Sequence, residues 1–194
     1  YRTLDGKFVI SHDATTARCS GGYALEIEKS TLDTLRGLQY TDTDGKKDRY
    51  DLRISTPDEY IKICKRYGKK AVLELKSSFT RSELEALIEI INNHEYLDSV
   101  YFISFICENL EILREMLPDQ PLQLLSCEFY DNYYTYLPKY RFDLDIGWPA
   151  VNKEIVSKLH KLGIKVNVWT VDTKELGEKL ADMGVDYITS NILE

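Results

Sequence analysis

Three glycines, Gly68, Gly163 and Gly184, each close a stretch whose apolar residues recur at helical spacing, and each stands just ahead of an apolar run. Glycine readily takes the left-handed conformation that ends a helix, so each marks a helix-to-strand connection. The same grammar fills the chain from residue 55 onward. Thr56-Pro57-Asp58-Glu59 and Thr80-Arg81-Ser82-Glu83 are capping boxes that open helices. Tyr60, Ile61, Cys64 and Tyr67 make one apolar face, and Leu84, Leu87, Ile88 and Ile91 another. A third helix runs through Leu110, Leu113 and Met116, a fourth through Ile155, Val156, Leu159 and Leu162, and Asp172-Thr173-Lys174-Glu175 opens the last. Between them fall strand-like runs at Ala71 to Leu75, Ser99 to Phe105, Leu122 to Leu125, Phe142 to Ile146, Ile164 to Val171 and Val185 to Thr189. The Tyr-rich stretch Phe129 to Tyr140 reads as a short helix with loops, and Lys7 to Ile10 as an earlier strand.

Short helix-strand connections repeated in this way predict a parallel sheet covered by helices. Periodicity alone leaves open whether that sheet is doubly wound or a closed barrel. There is no G-x-G-x-x-G after a strand and no G-x-x-x-x-G-K-[ST], so dinucleotide and P-loop readings lack support. The 194 residues carry a formal charge of −7, against the basic stripe a general nucleic-acid binder needs. No apolar run approaches the ~18 residues of a membrane span. Cys19, Cys64, Cys107 and Cys127 form no C-x-x-C pair and read as buried free thiols. That leans toward a cytoplasmic protein; an upstream signal sequence would make it secreted or periplasmic instead. No linker divides the chain, which reads as one domain over 1–194.

Three places carry chemistry-bearing residues. Ser11-His12-Asp13 follows the early strand, and an imidazole there suits acid/base work, although a loop His beside a turn-capping Asp gives the same sequence. In Glu74-Leu75-Lys76, period two puts both charges on one strand face, opposite Leu73 and Leu75. Such a face is costly to bury unless it meets a polar site or closes as a rim ion pair. A strand-end Glu suits a hard cation such as Mg²⁺ or Ca²⁺, and a Lys suits a phosphate oxygen. Asn167 and Trp169 share a face opposite Val166 and Val168, where the Trp is either a ligand wall or core packing. His94 and His160 read as surface helix residues and Lys46-Lys47 as solvated surface.

The order of these features resembles the glycerophosphodiester phosphodiesterase family. Asp5-Gly6-Lys7-Phe8-Val9-Ile10-Ser11-His12-Asp13, with Thr15 and Arg18, is similar to its D-G-x-x-V-x-x-H-D…T…R stretch. Ile54 to Glu59 resembles its I-P-T-x-E-E helix start, with Pro one place past the Thr. Leu73 to Lys76 resembles its E-x-K strand, and Ile103-Ser104-Phe105 its S-F strand end. Lys165 to Val171 and Gly184 to Thr189 resemble V-N-V-W-T-V…G-V-D-x-I-x-T.

The resemblance implies a TIM (β/α)₈ barrel, with an insertion bearing the H-D segment within residues 1–55. It implies metal-dependent hydrolysis of a glycerophosphodiester, a small-molecule substrate, to sn-glycerol 3-phosphate and an alcohol. On that reading His12 is catalytic, Glu74 binds the divalent cation (Mg²⁺ or Ca²⁺), Lys76 contacts the phosphate and Trp169 lines the glycerol pocket. The family's H-R-G, P-E-N and E-x-D segments are missing, and Thr189-Ser190-Asn191 replaces its T-D-x-P. A full barrel takes about 250 residues. The expectation is therefore an N-terminally incomplete barrel lacking about its first two strands, with the 194 residues alone too poor in site groups to be active. Two other readings remain open: a non-catalytic relative that binds a phosphorylated glycerol or polyol, or a partner protein, and a barrel phospholipase acting on lipid diesters.

Overall fold

The computed structural model describes residues 1–42, 49 and 51–193; Lys46-Lys47 lies outside them. Two compact units emerge, one of Tyr1–Ala71 with Thr80–Ser99 and one of Val72–Phe79 with Val100–Glu194.

In the first unit a short helix, α1 (Leu32–Arg36), precedes α2 (Pro57–Arg66) and α3 (Arg81–Asn92). Both expected capping boxes form: Thr56 and Thr80 accept from the backbone N–H groups of Glu59 and Glu83, whose carboxylates reach back to the caps. Among the described residues, the segment before α2 has no ladder of its own. Lys7 to Ile10, expected as a strand, makes only isolated antiparallel bridges, Arg2 with Phe8 and Ile10 with Ser55. What holds the segment is a small core in which Val9, Ile27, Leu35, Tyr40 and Ile54 bury their side chains together. His94 follows α3 instead of lying on a helix, and its imidazole is largely buried with Nε2 2.7 Å from Asp58 Oδ1. Burying a ring against a carboxylate is a packing role, which corrects its reading as a surface residue.

The second unit is built on a parallel sheet in sequence order: β1 (Ala71–Glu74), β2 (Val100–Ser104), β3 (Leu122–Ser126), β4 (Asp143–Gly147), β5 (Val166–Trp169) and β6 (Tyr187–Ile188). The helices α4 (Cys107–Met116), α5 (Tyr133–Tyr140), α6 (Lys153–Lys161) and α7 (Lys174–Met183) alternate with the strands from β2 onward. Gly184 takes φ 93° at the end of α7, as its place before a strand requires. The Tyr-rich stretch is α5 with its approach loop, where Phe129 and Tyr133 meet edge to face. All four cysteines are free, but only Cys64 is buried; Cys19 and Cys127 are exposed and Cys107 is half-buried. Their flanking residues lie on loops and helix ends, where apolar character alone does not secure burial.

Alternation sorts the sheet into two faces. Phe102, Leu122, Leu124, Leu144, Ile146, Val166 and Val168 are buried, as are Leu110, Leu113, Val156, Leu159 and Leu180 on the helices. This apolar layer between sheet and helices is the core of the unit. The other face curls inward. Tyr101 on β2 and Tyr187 on β6 bring their ring centroids within 6.1 Å, although four strand steps in a flat sheet span about 19 Å. The stagger is that of a barrel as well: Gln123 pairs in register with Asp143, yet its amide meets Asn167, which stands opposite Asp145. These strands have the order, parallel direction and shear of a (β/α) barrel.

Candidate functional site

The inner face of this curled sheet is unusually polar for a barrel interior. From β1 it takes Glu74 and the following Lys76, from β3 Gln123, from β4 Asp143 and Asp145, and from β5 Asn167 and Trp169. Lys76 Nζ sits 2.8 Å from Glu74 Oε2, with side-chain exposures of 17% and 22%. The two charges that period two put on one strand face are thus brought together at the C-terminal end of β1, where barrels build their sites. Trp169, half-buried at the end of β5, meets the ring of Phe105 edge to face at 6.0 Å across three strand steps. The pair forms an apolar wall over the same face.

Below this wall lies Asp145, only 2% exposed. Its register neighbours are Leu125 and Asn167. Leu125 is apolar, and Asn167 is already engaged: its amide N–H donates to Gln123 Oε1 and its oxygen accepts from the Thr189 hydroxyl. Asp145 Oδ1 has no hydrogen-bond partner within the protein. Burial, and then the negative charge of Glu74, push its pKa up from 3.8 to about 7. The sequence reading missed Asp145, although Asp143-Leu144-Asp145-Ile146 shows the same charged-apolar alternation as Glu74-Leu75-Lys76.

His12 belongs to the first unit, where its side chain is 73% exposed. Its Nδ1 lies 2.8 Å from Asp13 Oδ1. A carboxylate only accepts, so Nδ1 carries the hydrogen and Nε2 is left to exchange a proton. Asp13 is fixed in turn by Arg18, whose Nε and Nη2 donate to its two oxygens at 2.7 and 3.1 Å. The hydrogen bond from His12, followed by that from Arg18, lowers the Asp13 pKa. Asp13 thus accepts from both the imidazole and the guanidinium. The residues that replace T-D-x-P are also tied down: Asp172 accepts from the Asn191 backbone N–H at 2.8 Å and from its side-chain amide at 2.9 Å.

Among the described residues no three His, Cys, Asp or Glu side chains are grouped to hold a metal ion. A hard cation of the Mg²⁺ kind is commonly held by only one or two carboxylates, with water and substrate phosphate completing its shell. Glu74, half-buried at the strand end, fits that requirement. No helix among the described residues is long and apolar enough to cross a membrane.

A curled parallel sheet with charged groups and aromatic rings at its strand ends has the layout of a (β/α) barrel. The sequence profile of the glycerophosphoryl diester phosphodiesterase family matches residues 2–193, and the chain belongs to that family. A glycerophosphodiester phosphodiesterase of Caldanaerobacter subterraneus is 27% identical over 192 residues, which cover 97% of this chain and 78% of that protein. Among solved structures, an Oleispira antarctica phosphodiesterase in complex with the product sn-glycerol-3-phosphate is 25% identical. It matches with a TM-score of 0.87 over 97% of this chain and 77% of its own. A glycerophosphodiester phosphodiesterase from Parabacteroides distasonis is 26% identical, with a TM-score of 0.80 over 98% of this chain and 76% of its own.

Proposed function

We propose that the protein hydrolyses glycerophosphodiesters, cleaving the phosphate bond to the head-group alcohol and releasing sn-glycerol 3-phosphate. The observation that carries this reading is the Glu74–Lys76 pair at a barrel strand end, beneath the Phe105–Trp169 wall, in a chain of this family. Lys76 supplies a point charge for a phosphoryl oxygen, and Trp169 an apolar surface for the glycerol carbons. His12, held by Asp13, exchanges a proton through Nε2 with the leaving alkoxide or the nucleophile. Glu74 would hold a divalent cation, Mg²⁺ or Ca²⁺, which when bound polarises the phosphoryl oxygens and lowers the pKa of the attacking hydroxyl or water. The reaction places the protein in glycerol and lipid breakdown, and four free thiols favour a reducing, cytoplasmic setting.

A second reading is a non-catalytic relative that binds a phosphorylated glycerol or polyol through the same groups. One assay separates the two. Protein translated from the full reading frame is incubated with glycerophosphocholine and Mg²⁺ or Ca²⁺, and sn-glycerol 3-phosphate is measured. Release that disappears with a chelator and in Glu74→Gln supports the hydrolase; binding of sn-glycerol 3-phosphate without any turnover supports the second reading.

A further inference from the structure

The strand end that carries Glu74 and Lys76 is held by a buried polar network from the next β/α unit. β1 stops at Glu74, and the Leu75 N–H donates to the Ile103 carbonyl of β2 at 2.9 Å. Side chains hold the residues that follow. Ser104, at the end of β2 and wholly buried, donates its hydroxyl to the Leu75 carbonyl at 2.7 Å. Its oxygen accepts from the Ile106 N–H at 3.0 Å. Asn109, in the first turn of α4, is only 1% exposed. Its amide nitrogen donates to the Ser77 carbonyl at 2.8 Å and to Ser104 Oγ at 3.4 Å. Its oxygen accepts from the Phe79 N–H at 2.9 Å.

A side-chain amide offers two hydrogens and one carbonyl oxygen. Asn109 places all three, so its burial leaves none of them unpaired. Its neighbours on the buried face of α4, Leu110 and Leu113, are apolar. For packing alone a leucine at 109 would serve, without the cost of burying an amide. What the amide adds is position, because a fully satisfied buried network rigidifies the backbone it holds. The Leu75 and Ser77 carbonyls lie on either side of Lys76, one held by Ser104 and the other by Asn109. The backbone of Lys76 is thus pinned on both flanks, and its side chain leaves from a fixed point to meet Glu74.

We propose that Asn109, acting with Ser104, is a positioning residue that fixes the Ser77–Phe79 loop and so sets where Lys76 presents its charge to a phosphoryl group. The proposal rests on the diester-hydrolase reading and adds to it a buried residue that acts only through another.

A double-mutant cycle tests it. Calorimetry follows sn-glycerol 3-phosphate binding to four forms of the protein translated from the full reading frame: wild type, Asn109→Leu, Lys76→Met and the double variant. Asn109→Leu is expected to weaken binding roughly tenfold in the wild-type background. In the Lys76→Met background the same change should cost less than about twofold, because the group it acts through is gone. A merely structural role lowers the melting temperature and either leaves the affinity of the folded protein alone or weakens it by one factor in both backgrounds. Either result overturns the proposal. Ser104→Ala removes only a hydroxyl and should show a smaller loss with the same dependence on Lys76, which keeps the test open if Asn109→Leu does not fold. Thermal melts identify the folded variants. If the wild type does not bind sn-glycerol 3-phosphate at all, the functional reading itself falls, and the proposal with it.

Discussion

Lys76 Nζ lies 2.8 Å from Glu74 Oε2, two residues apart on one face at the end of a strand, with both side chains largely buried. Neither charge is well placed to do without the other. Lys76→Met leaves the Glu74 carboxylate half-buried and uncompensated, and is expected to lower stability by roughly 1–3 kcal/mol, between the values for exposed and for buried pairs. The double variant Glu74→Gln/Lys76→Met should recover much of that loss. Urea unfolding midpoints decide it: a single variant as stable as the wild type would show that the pair contributes nothing to the fold.

Asp145 makes stability depend on pH in the direction opposite to most carboxylates. Its pKa is raised in the fold, from 3.8 to about 7, by burial and by Glu74. Between those values the folded state keeps a proton that the unfolded state has released. Stability therefore falls as pH rises from about 4 to about 7 and is level above that, by at most about 4 kcal/mol. Asp145→Asn should flatten this slope. Denaturant unfolding at pH 5 and pH 8 measures it; equal slopes in both proteins would contradict the assignment.

Trp169 should act on binding before it acts on chemistry. Trp169→Ala removes the wall shared with Phe105 and is expected to raise KM roughly tenfold, about 1.4 kcal/mol. Trp169→Phe keeps a ring at the site and should lose less. Steady-state kinetics on glycerophosphocholine separate KM from kcat; a change confined to kcat would move Trp169 out of the binding wall.

His12→Ala should lower turnover by well over 10²-fold, the usual scale for an acid/base group. Its side chain is 73% exposed, so stability should move by no more than about 0.5 kcal/mol. Asp13→Asn should lower turnover less, because it loosens the imidazole without removing it. Turnover within a few-fold of wild type in His12→Ala would remove His12 from the mechanism.

The cap of α3 offers a check on local stability. Thr80 accepts from the Glu83 backbone N–H, and Glu83 reaches back to the Thr80 N–H. Thr80→Ala should cost about 1 kcal/mol, read from the shift in melting temperature.

Most of the barrel was legible because local signals agreed with the global fold. The capping boxes at Thr56 and Thr80, the left-handed Gly184 and the alternation of the strands all act within a few residues of the chain. The strand-end placement of Glu74, Lys76 and Trp169 could be read for the same reason, since period two tells the two faces of their strands apart. What could not be read depends on contacts distant in sequence. Lys7 to Ile10 pairs only through isolated bridges, and His94 turns inward because Asp58, 36 residues away, accepts from it. Asp145 is a different case, because the alternation around it was visible. Its burial and its unpaired oxygen depend on what stands beside it across the strands, and that is known only once the register is known.

The division of the sheet into an apolar outer face and a polar inner one has a consequence for how such a protein can change. Fold and chemistry are written on alternate letters of the same strands. Leu144 and Ile146 anchor β4 to its helices, while Asp143 and Asp145, interleaved with them, face inward. Substitutions at the inward positions can therefore redirect what the barrel accepts while the layer that keeps it folded stays untouched. A lineage built this way is free to explore new substrates without first having to rebuild its scaffold.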